Sequence, residues 1–593
     1  MTGKRFVIGG LMVASLSLGA CGSGHDEGTA GGGGSNVGGT AGIGGSNTGG
    51  TGGSSTGGTA GSGGSGTGGS GGSSTGGSAG GPDPAPTPGK GTSYYLSPAG
   101  DDSQAGTSPN LAWRSIAKLN QTSFHPGDNV FLEGGQVFVG TVELHEDDQG
   151  TPAEPISLSS YGSGRALIDG GNGSGISIYN TAGVQVWELT VKGDWDPDTQ
   201  SGNEGMGIRI YADLGNATKL DSVIVDRVDV SGFKEGGISV GASPADGTKS
   251  GFSNVRISNA SVHDNGDHGI SSWGFWDPAS SAHAHAGVTV RGCEVFDNKG
   301  LPNKGNHSGS GIVLGDVDGA IVERNVAYRN GELNDHSGGG PVGIWAWDAN
   351  DVTIQHNESW GNRSATLDGG GFDLDGGVTN SVMQYNYSHD NDGPGYLVAQ
   401  FAGARAMGKL VIRYNISQND CRADDNGSIH FWNGNGANGI NDVDVYHNTV
   451  HVGAASGGSP ALSFASGTQG VRVLNNLLVV EGGAQVASLG SGHSHLVLAG
   501  NNYHRVGGSA QVPPEDPSGS SLDPLLAAGG SGPTLGDAWA LESLSAYTLL
   551  DGSPMIDLGS ALSAYAIDPG SRDFFGNPVL QGQGPDVGAH ERR

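Results

Sequence analysis

Three cysteines in 593 residues are too few for a disulfide framework. Cationic side chains are scarce as well: 28 Lys and Arg stand against 59 Asp and Glu, a formal charge of −31. That balance argues against a nucleic-acid partner and only weakly against a polyanionic ligand, because the charge of a groove can differ from the total. Long apolar runs are missing too, since the stretch from Phe6 to Leu18 is too short for a comfortable membrane span. What the chain does have is glycine, 115 residues of it, far above the roughly 7% of an average chain. Two causes account for it, a low-complexity tract and a fold that turns often.

Residues 1–21 read as a targeting segment, with Lys4 and Arg5 ahead of the apolar run and Leu18-Gly19-Ala20-Cys21 at its end. That tetrapeptide is similar to a bacterial lipobox, which implies cleavage before Cys21 and acylation of its thiol. The alternative is an ordinary secretory signal cut near Ala20. Either way an extracytoplasmic protein is expected, with a membrane partner only through a lipid at Cys21. Residues 22–91 are Gly, Ser and Thr closing on Pro82-Asp83-Pro84-Ala85-Pro86-Thr87-Pro88. With almost no apolar mass this linker cannot offset its ordering entropy, so a disordered tether is expected.

From Tyr94 the composition becomes globular. Residues 92–174 supply a short helix, with Leu111, Ile116 and Leu119 expected on one side to cover an open end, and the first strands. Gly-Ile pairs or close variants then recur at Gly175, Gly207, Gly237, Gly269, Gly311, Gly343, Gly371 and Gly395. Three residues past each apolar triplet stand Asn325, Asn357, Asn386, Asn415, Asn448, Asn476 and Asn501, where earlier units have Leu189, Val228, Ala260 and Cys293. A second column reads Asn265, Asn298, Asn330, Asn362, Asn391 and Asp420. In a stack of coils each strand bonds to its equivalent about 4.8 Å away, so like residues pile into ladders. Asn suits such a ladder because its amide donates to one neighbour, accepts from the other and tolerates a left-handed backbone. Tandem helices would need a period of 3.6, whereas the V-x-V triplets have period two. The reading is all-β: a parallel β-helix of about 12–13 coils over 175–507, right-handed by the crossover rule. Residues 508–593, including Leu541–Leu550 and Pro554–Asp557, are expected to cap its C-terminal end. In this register Cys293 and Cys421 lie four coils, or roughly 19 Å, apart, beyond the roughly 7 Å limit for a disulfide.

The opening YYLSPAGDDSQAGTS and PGDNVFLEGG, the Gly-Ile and Asn coils, and the ending RDFFGNPVLQGQGPDVGAHE resemble the pectin-lyase-like family of right-handed β-helix proteins. The resemblance covers residues 94–593. It implies a secreted bacterial protein acting on polysaccharide, but the family includes lyases, hydrolases, epimerases and non-catalytic binders, so the reaction must come from the site.

Side chains alternate along a strand. Aligned on the Gly-Ile pairs, one outward column reads Ser177, Arg209, Ser239, Ser271, Val313, Trp345, Asp373, Leu397, His430, and the other Tyr179, Tyr211, Gly241, Trp273, Gly315, Trp347, Asp375, Ala399, Trp432. Exposed aromatics in a row are costly unless they bind something, and flat rings stack on pyranose faces. Trp273, Trp345, Trp347 and Trp432, with His389, His430 and Arg209, are therefore candidate glycan-binding residues; the alternative is that the loops at 274–287, 299–310 and 331–342 bury them as a secondary core. Asp373 and Asp375, roughly 6.6 Å apart along the strand, with Asp348 and Asp368 near, could supply the proton donor and the second carboxylate of glycoside hydrolysis. Crowding would raise one pKa. A calcium site using Asp373, Asp375, Asp390 and Asp392 is the competing reading, no cofactor being required. Family lyases pair calcium with a Lys or Arg base; the sequence offers Arg209, Arg405 and Lys409, none beside the Asp pair. Gly266-Asp267-His268-Gly269-Ile270-Ser271 is similar to the histidine-glycine motif of polygalacturonase-type hydrolases, but its companion elements are missing, so it is set aside. Hydrolysis of a glycan by a monomer is the leading expectation; a calcium-dependent lyase or epimerase, and a non-catalytic adhesion protein, are the alternatives.

Overall fold

Each winding contributes three short strands, because apolar residues at alternate positions turn inward while Gly, Asn and Asp break the chain between them. The computed structural model describes residues 81–592 except 425, 435–438 and 457; the signal segment, Cys21 and the glycine tract to residue 80 lie outside the described residues. The strands form three sheets of 14, 12 and 13 members, in which each strand neighbours its counterparts in the coils before and after. Pairing is parallel throughout the central coils, as where Ile312, Ile344, Phe372 and Tyr396 meet in succession. The fold is the parallel β-helix that the repeats predict.

Like stacks on like inside the helix. Ile344, Phe372, Tyr396, Ile429 and Phe431 are all buried, with Phe372 stacked on Tyr396 at 5.4 Å and Phe431 on Phe464 at 4.5 Å. The Tyr396 hydroxyl is satisfied by Asn386 O at 2.7 Å and Ile416 O at 2.9 Å. Both Asn ladders form. Asn325 Nδ2 donates to Asn357 Oδ1 at 3.0 Å, Asn357 Nδ2 to Asn386 Oδ1 at 3.0 Å, and so on to Asn501, which donates to Asp516 at 2.8 Å. The second ladder ends with Asn391 donating to Asp420 Oδ1 at 2.8 Å.

The left-handed residue is not the ladder asparagine but the one before it: Arg324, His356, Tyr385, Tyr414 and His447 have φ between 50° and 59°. A bulky residue there costs roughly 1–2 kcal/mol, tolerated because the neighbouring side-chain amide is held by three to five hydrogen bonds. Neither Cys293 nor Cys421 forms a disulfide.

At the N-terminus the helix Ile116–Leu119 buries Ile116 and Leu119, but Leu111 belongs to a separate 3-10 turn, Pro109–Leu111, and is 41% exposed. The Pro-rich end of the expected linker is fastened down. Asp83 bridges Arg256 at 3.3 Å and Arg291 at 2.6 Å, Thr87 O accepts from Gln185 at 2.7 Å, and Gly89 N donates to Asn129 at 2.7 Å. The strap therefore crosses the outer face of the 14-stranded sheet, perpendicular to its strands.

The C-terminal region departs from the expected end cap. Only its first part closes the helix, through Asp516 and the Ser520 bridge to Asn502. The rest runs back along the flank: Leu535 N and Gly536 N each donate to Glu358 at 2.7 Å, and Trp539 lies against Arg291 and Arg324. Its apolar side chains cover Tyr385 and Tyr414, with Tyr446 beside them, so two of the left-handed positions double as its seat.

Replacing Asn357 with Leu strands the donors of Asn325 and the carbonyl of Val322, at about 1–3 kcal/mol for each buried unsatisfied group. N357L is expected to lose at least about 3 kcal/mol in urea unfolding, whereas an outward substitution on the same coil, T353A, should stay within about 0.5 kcal/mol.

Candidate active site

The two outward columns counted from sequence are realised on the 12-stranded sheet. Arg209 pairs with Ser239, Ser239 with Ser271, Ser271 with Val313, Val313 with Trp345 and Trp345 with Asp373. Over this face opens a cleft of about 620 Å³ whose lining includes Arg209, Trp273, Trp345, Trp347, Asp373 and Asp375. The turns between sheets raise its wall: 297–309 contributes Lys304 and His307, 329–341 contributes Gly340, and 361–369 contributes Asp368. From Arg209 to Asp373 the floor spans five coils, about 24 Å.

The indoles are held in place. Trp345 Nε1 donates to Ser310 Oγ at 3.0 Å and Trp273 Nε1 to Ser239 Oγ at 3.2 Å. Trp347 is backed by Trp276 at 5.6 Å, from the 274–284 excursion, and Arg209 lies over Tyr211 at 4.2 Å. Half-exposed aromatics do not by themselves mark a binding face. On the 13-stranded sheet Phe296, Tyr328 and Trp360 stack at 4.9 and 4.5 Å with interplanar angles of 3°. Their faces are spent on one another, and only edges remain.

Three carboxyls meet at one end of the cleft. Asp373 is 2% exposed; burial pushes its pKa well up, and Asp375 and Asp368 add to the effect. Asp368 stands on the wall, where Gly340 N donates to it at 2.7 Å. Burial raises its pKa to about 7, against that bond and with help from Asp424 and Asp375. Asp375 Oδ1 accepts the Gly376 N–H at 2.6 Å. The remaining cations of the cleft are engaged elsewhere, Lys304 on Asp267 at 2.6 Å and Lys234 on Glu204.

The likeness is to lacto-N-biosidases. A lacto-N-biosidase of Bifidobacterium longum subsp. longum is 27% identical in an alignment covering 86% of this chain and 37% of that one, so the chain spans little more than a third of that relative. The crystal structure of a GH136 lacto-N-biosidase from Eubacterium ramulus superposes with a TM-score of 0.50 at 19% identity, over 69% of this chain and 68% of that one. Its selenomethionine form gives 0.50 at 20% identity over 68% of each. At this identity the structures establish a shared fold. No family profile matches the chain.

Several expected site residues lie elsewhere. Asp348 is not in the cleft lining: it is a left-handed turn residue whose side chain forms a buried ion pair with Arg405. The desolvation outweighs the guanidinium and raises its pKa to about 6. One coil earlier the turn residue Asp316 takes Lys249 at 2.7 Å, so an acid with its own cation is structural at this position. His389 belongs to the 13-stranded sheet, buried between Glu358 at 3.2 Å and Asp390 at 2.9 Å beneath the C-terminal flank. His430 keeps its column but sits two coils beyond Asp373 and bonds Ser463 at 2.5 Å. Trp432 joins an apolar cluster with Leu397, Ala399, Phe401 and Ala404. Phe401 of that cluster also lines the cleft.

Sequence reasoning passed over other residues. The segment set aside at 266–271 places Asp267, His268 and Ser271 in the lining, with His268 Nε2 2.8 Å from Ser271 Oγ. His307 meets Trp345 edge-on at 5.2 Å, and burial lowers its pKa to about 4. His307 stands on a loop with no column register that counting could use, whereas His268 and Ser271 stand on a strand of the 12-stranded sheet, Ser271 within the counted column. Among the described residues no group of three or more His, Cys, Asp or Glu is disposed to hold a metal ion; Asp390 is occupied by His389 and Arg422.

Removing one partner of a buried ion pair leaves an uncompensated charge, at about 3–5 kcal/mol. R405M is expected to destabilise by that amount in chemical denaturation, and R405M/D348L to recover most of it.

Proposed function

We propose that the chain is a glycoside hydrolase acting on an oligosaccharide held across the 12-stranded sheet, with Asp368 as general acid and Asp375 as the second carboxylate. The observation that carries this is the placement of Asp368 on the wall and Asp375 on the floor of one cleft, with the pKa of Asp368 raised to about 7. Hydrolysis needs one carboxyl protonated near neutral pH to meet the leaving oxygen, and one available to activate water or attack the anomeric carbon. Asp368, with a pKa of about 7 and a place on the wall, suits the first role. Asp375, on the floor and accepting a backbone N–H, suits the second. Asp373, buried beside both with its pKa pushed well up by that burial and by its two neighbours, is a positioning residue. The expected pair of Asp373 and Asp375 is thus revised to Asp368 and Asp375.

A lyase or epimerase would need a base near the acids. Arg405 is committed to Asp348, and the lysines of the lining are committed to Glu204 and Asp267. The names of the relatives make lacto-N-biose-ended glycans the first substrates to offer. The proposal includes an extracytoplasmic site of action, with the chain tethered through an acylated Cys21; C21S should then leave the membrane fraction of expressing cells.

With a lacto-N-biose-ended tetrasaccharide as substrate and new reducing ends as readout, D368N and D375N should each lose at least about a hundredfold in kcat. D373N should keep the rate within about tenfold; a loss matching that of D375N would return the acid role to Asp373. The general acid works protonated, so kcat/KM should fall as pH rises through about 7, and D368N should lack that limb. Products absorbing in the ultraviolet would overturn hydrolysis in favour of elimination.

A further inference from the structure

Two indoles on the cleft floor adopt the same posture for the same reason. A Cβ on Gly315 would come within 2.5 Å of Trp347 Nε1, 2.6 Å of Cε2 and 2.9 Å of Cζ2. A Cβ on Gly241 would come within 2.6 Å of Trp273 Cε2 and Cζ2 and 2.9 Å of Nε1. Each glycine is the register partner one coil before its tryptophan, so in both cases the same edge of the indole lies across the glycine α-carbon. Neither glycine is in the left-handed region. Backbone geometry therefore does not call for glycine at either position; the missing side chain does.

The third indole of the column differs. Trp432 has Ala399 as its partner one coil earlier; it packs against the apolar cluster of Leu397 and Phe401 and is not itself in the cleft lining. Trp345, in the other column, follows Val313 and still lines the cleft, so the glycines account for the posture of Trp273 and Trp347 and not for every indole of the lining.

We infer that Gly241 and Gly315 are specificity-determining residues: by letting each indole lie across the preceding coil they make two stacking platforms, Trp273 and Trp347. The platforms are two coils, about 9.6 Å, apart, which is about the length of a disaccharide. Every second sugar of an oligosaccharide laid across the strands then meets an aromatic face, and the Trp347 platform adjoins Asp375 one coil on. The ligand part of this inference rests on the hydrolase reading; the posture of the indoles does not.

The test is a double-mutant cycle in the full chain, using D375N as background and the quenching of intrinsic fluorescence by the same tetrasaccharide as readout. G315A and W347L should each weaken binding at least about tenfold, and G315A/W347L should bind no more weakly than W347L alone, because the glycine acts only through the indole. Wild-type affinity in G315A, or losses that add, would overturn the inference. Should G315A not fold, the independent cycle of G241A and W273L is read by the same criteria. Binding without cleavage by the chain with Asp375 intact would end the hydrolase reading and leave the cycle standing. If the tetrasaccharide does not bind at all, acrylamide quenching of the free protein decides. G315A must then raise the accessibility of a tryptophan, an increase that W347L abolishes, and unchanged quenching overturns the inference.

Discussion

Every feature of this molecule is subordinate to one constraint: each residue of a coil sits directly over its counterpart in the next, held there by parallel backbone hydrogen bonds and two internal amide ladders. A residue is therefore chosen less by its sequence neighbours than by its column. The amide columns show how strong the constraint is. Asn357 bonds the coil before it through two contacts at 2.9 and 3.0 Å and the coil after it through its own amide. That stack is firm enough to hold bulky residues such as Tyr385 and His356 in left-handed backbone beside it. Tyr385 in turn presents its ring to the C-terminal flank. Local strain and long-range packing are thus consequences of the same ladder.

The cleft uses the constraint differently. A flat sheet face offers no cavity, so depth comes from the long turns at the coils that carry the indoles, and chemistry comes from a change in column character. Asp373 and Asp375 interrupt columns that hold Ser, Val, Trp or Gly in the four coils before them, and the next coil turns to Leu397 and Ala399. The carboxyls are consequently desolvated on both sides. Asp368 and Asp373 hold protons in the folded state that they would release, once unfolded, above about pH 4. By linkage, their contribution to stability is fully present below that value and is lost as pH rises toward the folded pKa, near 7 for Asp368. An acid suited to protonating a leaving group is, for that reason, one that weakens the fold at neutral pH.

Column membership could be read from the sequence because a solenoid converts counting into position. The run from Ser177 to His430 was recovered residue for residue. What counting could not reach was anything decided off the sheet. Asp348 looks like a third acid until its turn equivalent, Asp316, is seen with its own lysine. His389 is near the acids in sequence but on a different sheet. The strap at Asp83 and the flank at Leu535 are fixed by single long-range contacts without periodicity. Exposed aromatics were ambiguous for the same reason, since whether a ring shows its face or its edge depends on what stands one coil away.

That last dependence explains why the proposed binding surface lies where it does. Phe296, Tyr328 and Trp360 follow one another in consecutive coils, and rings in consecutive coils stack face to face and exclude a ligand. Trp273 and Trp347 are separated by a coil whose member is Gly315, and Trp273 is preceded by Gly241. Alternation of a large flat residue with none at all breaks the stack and turns each ring toward the cleft. The spacing that results is two strand separations, a length imposed by the backbone and not by any side chain. A sugar polymer can match that length; a ladder of adjacent aromatics, whatever its composition, leaves no face for it.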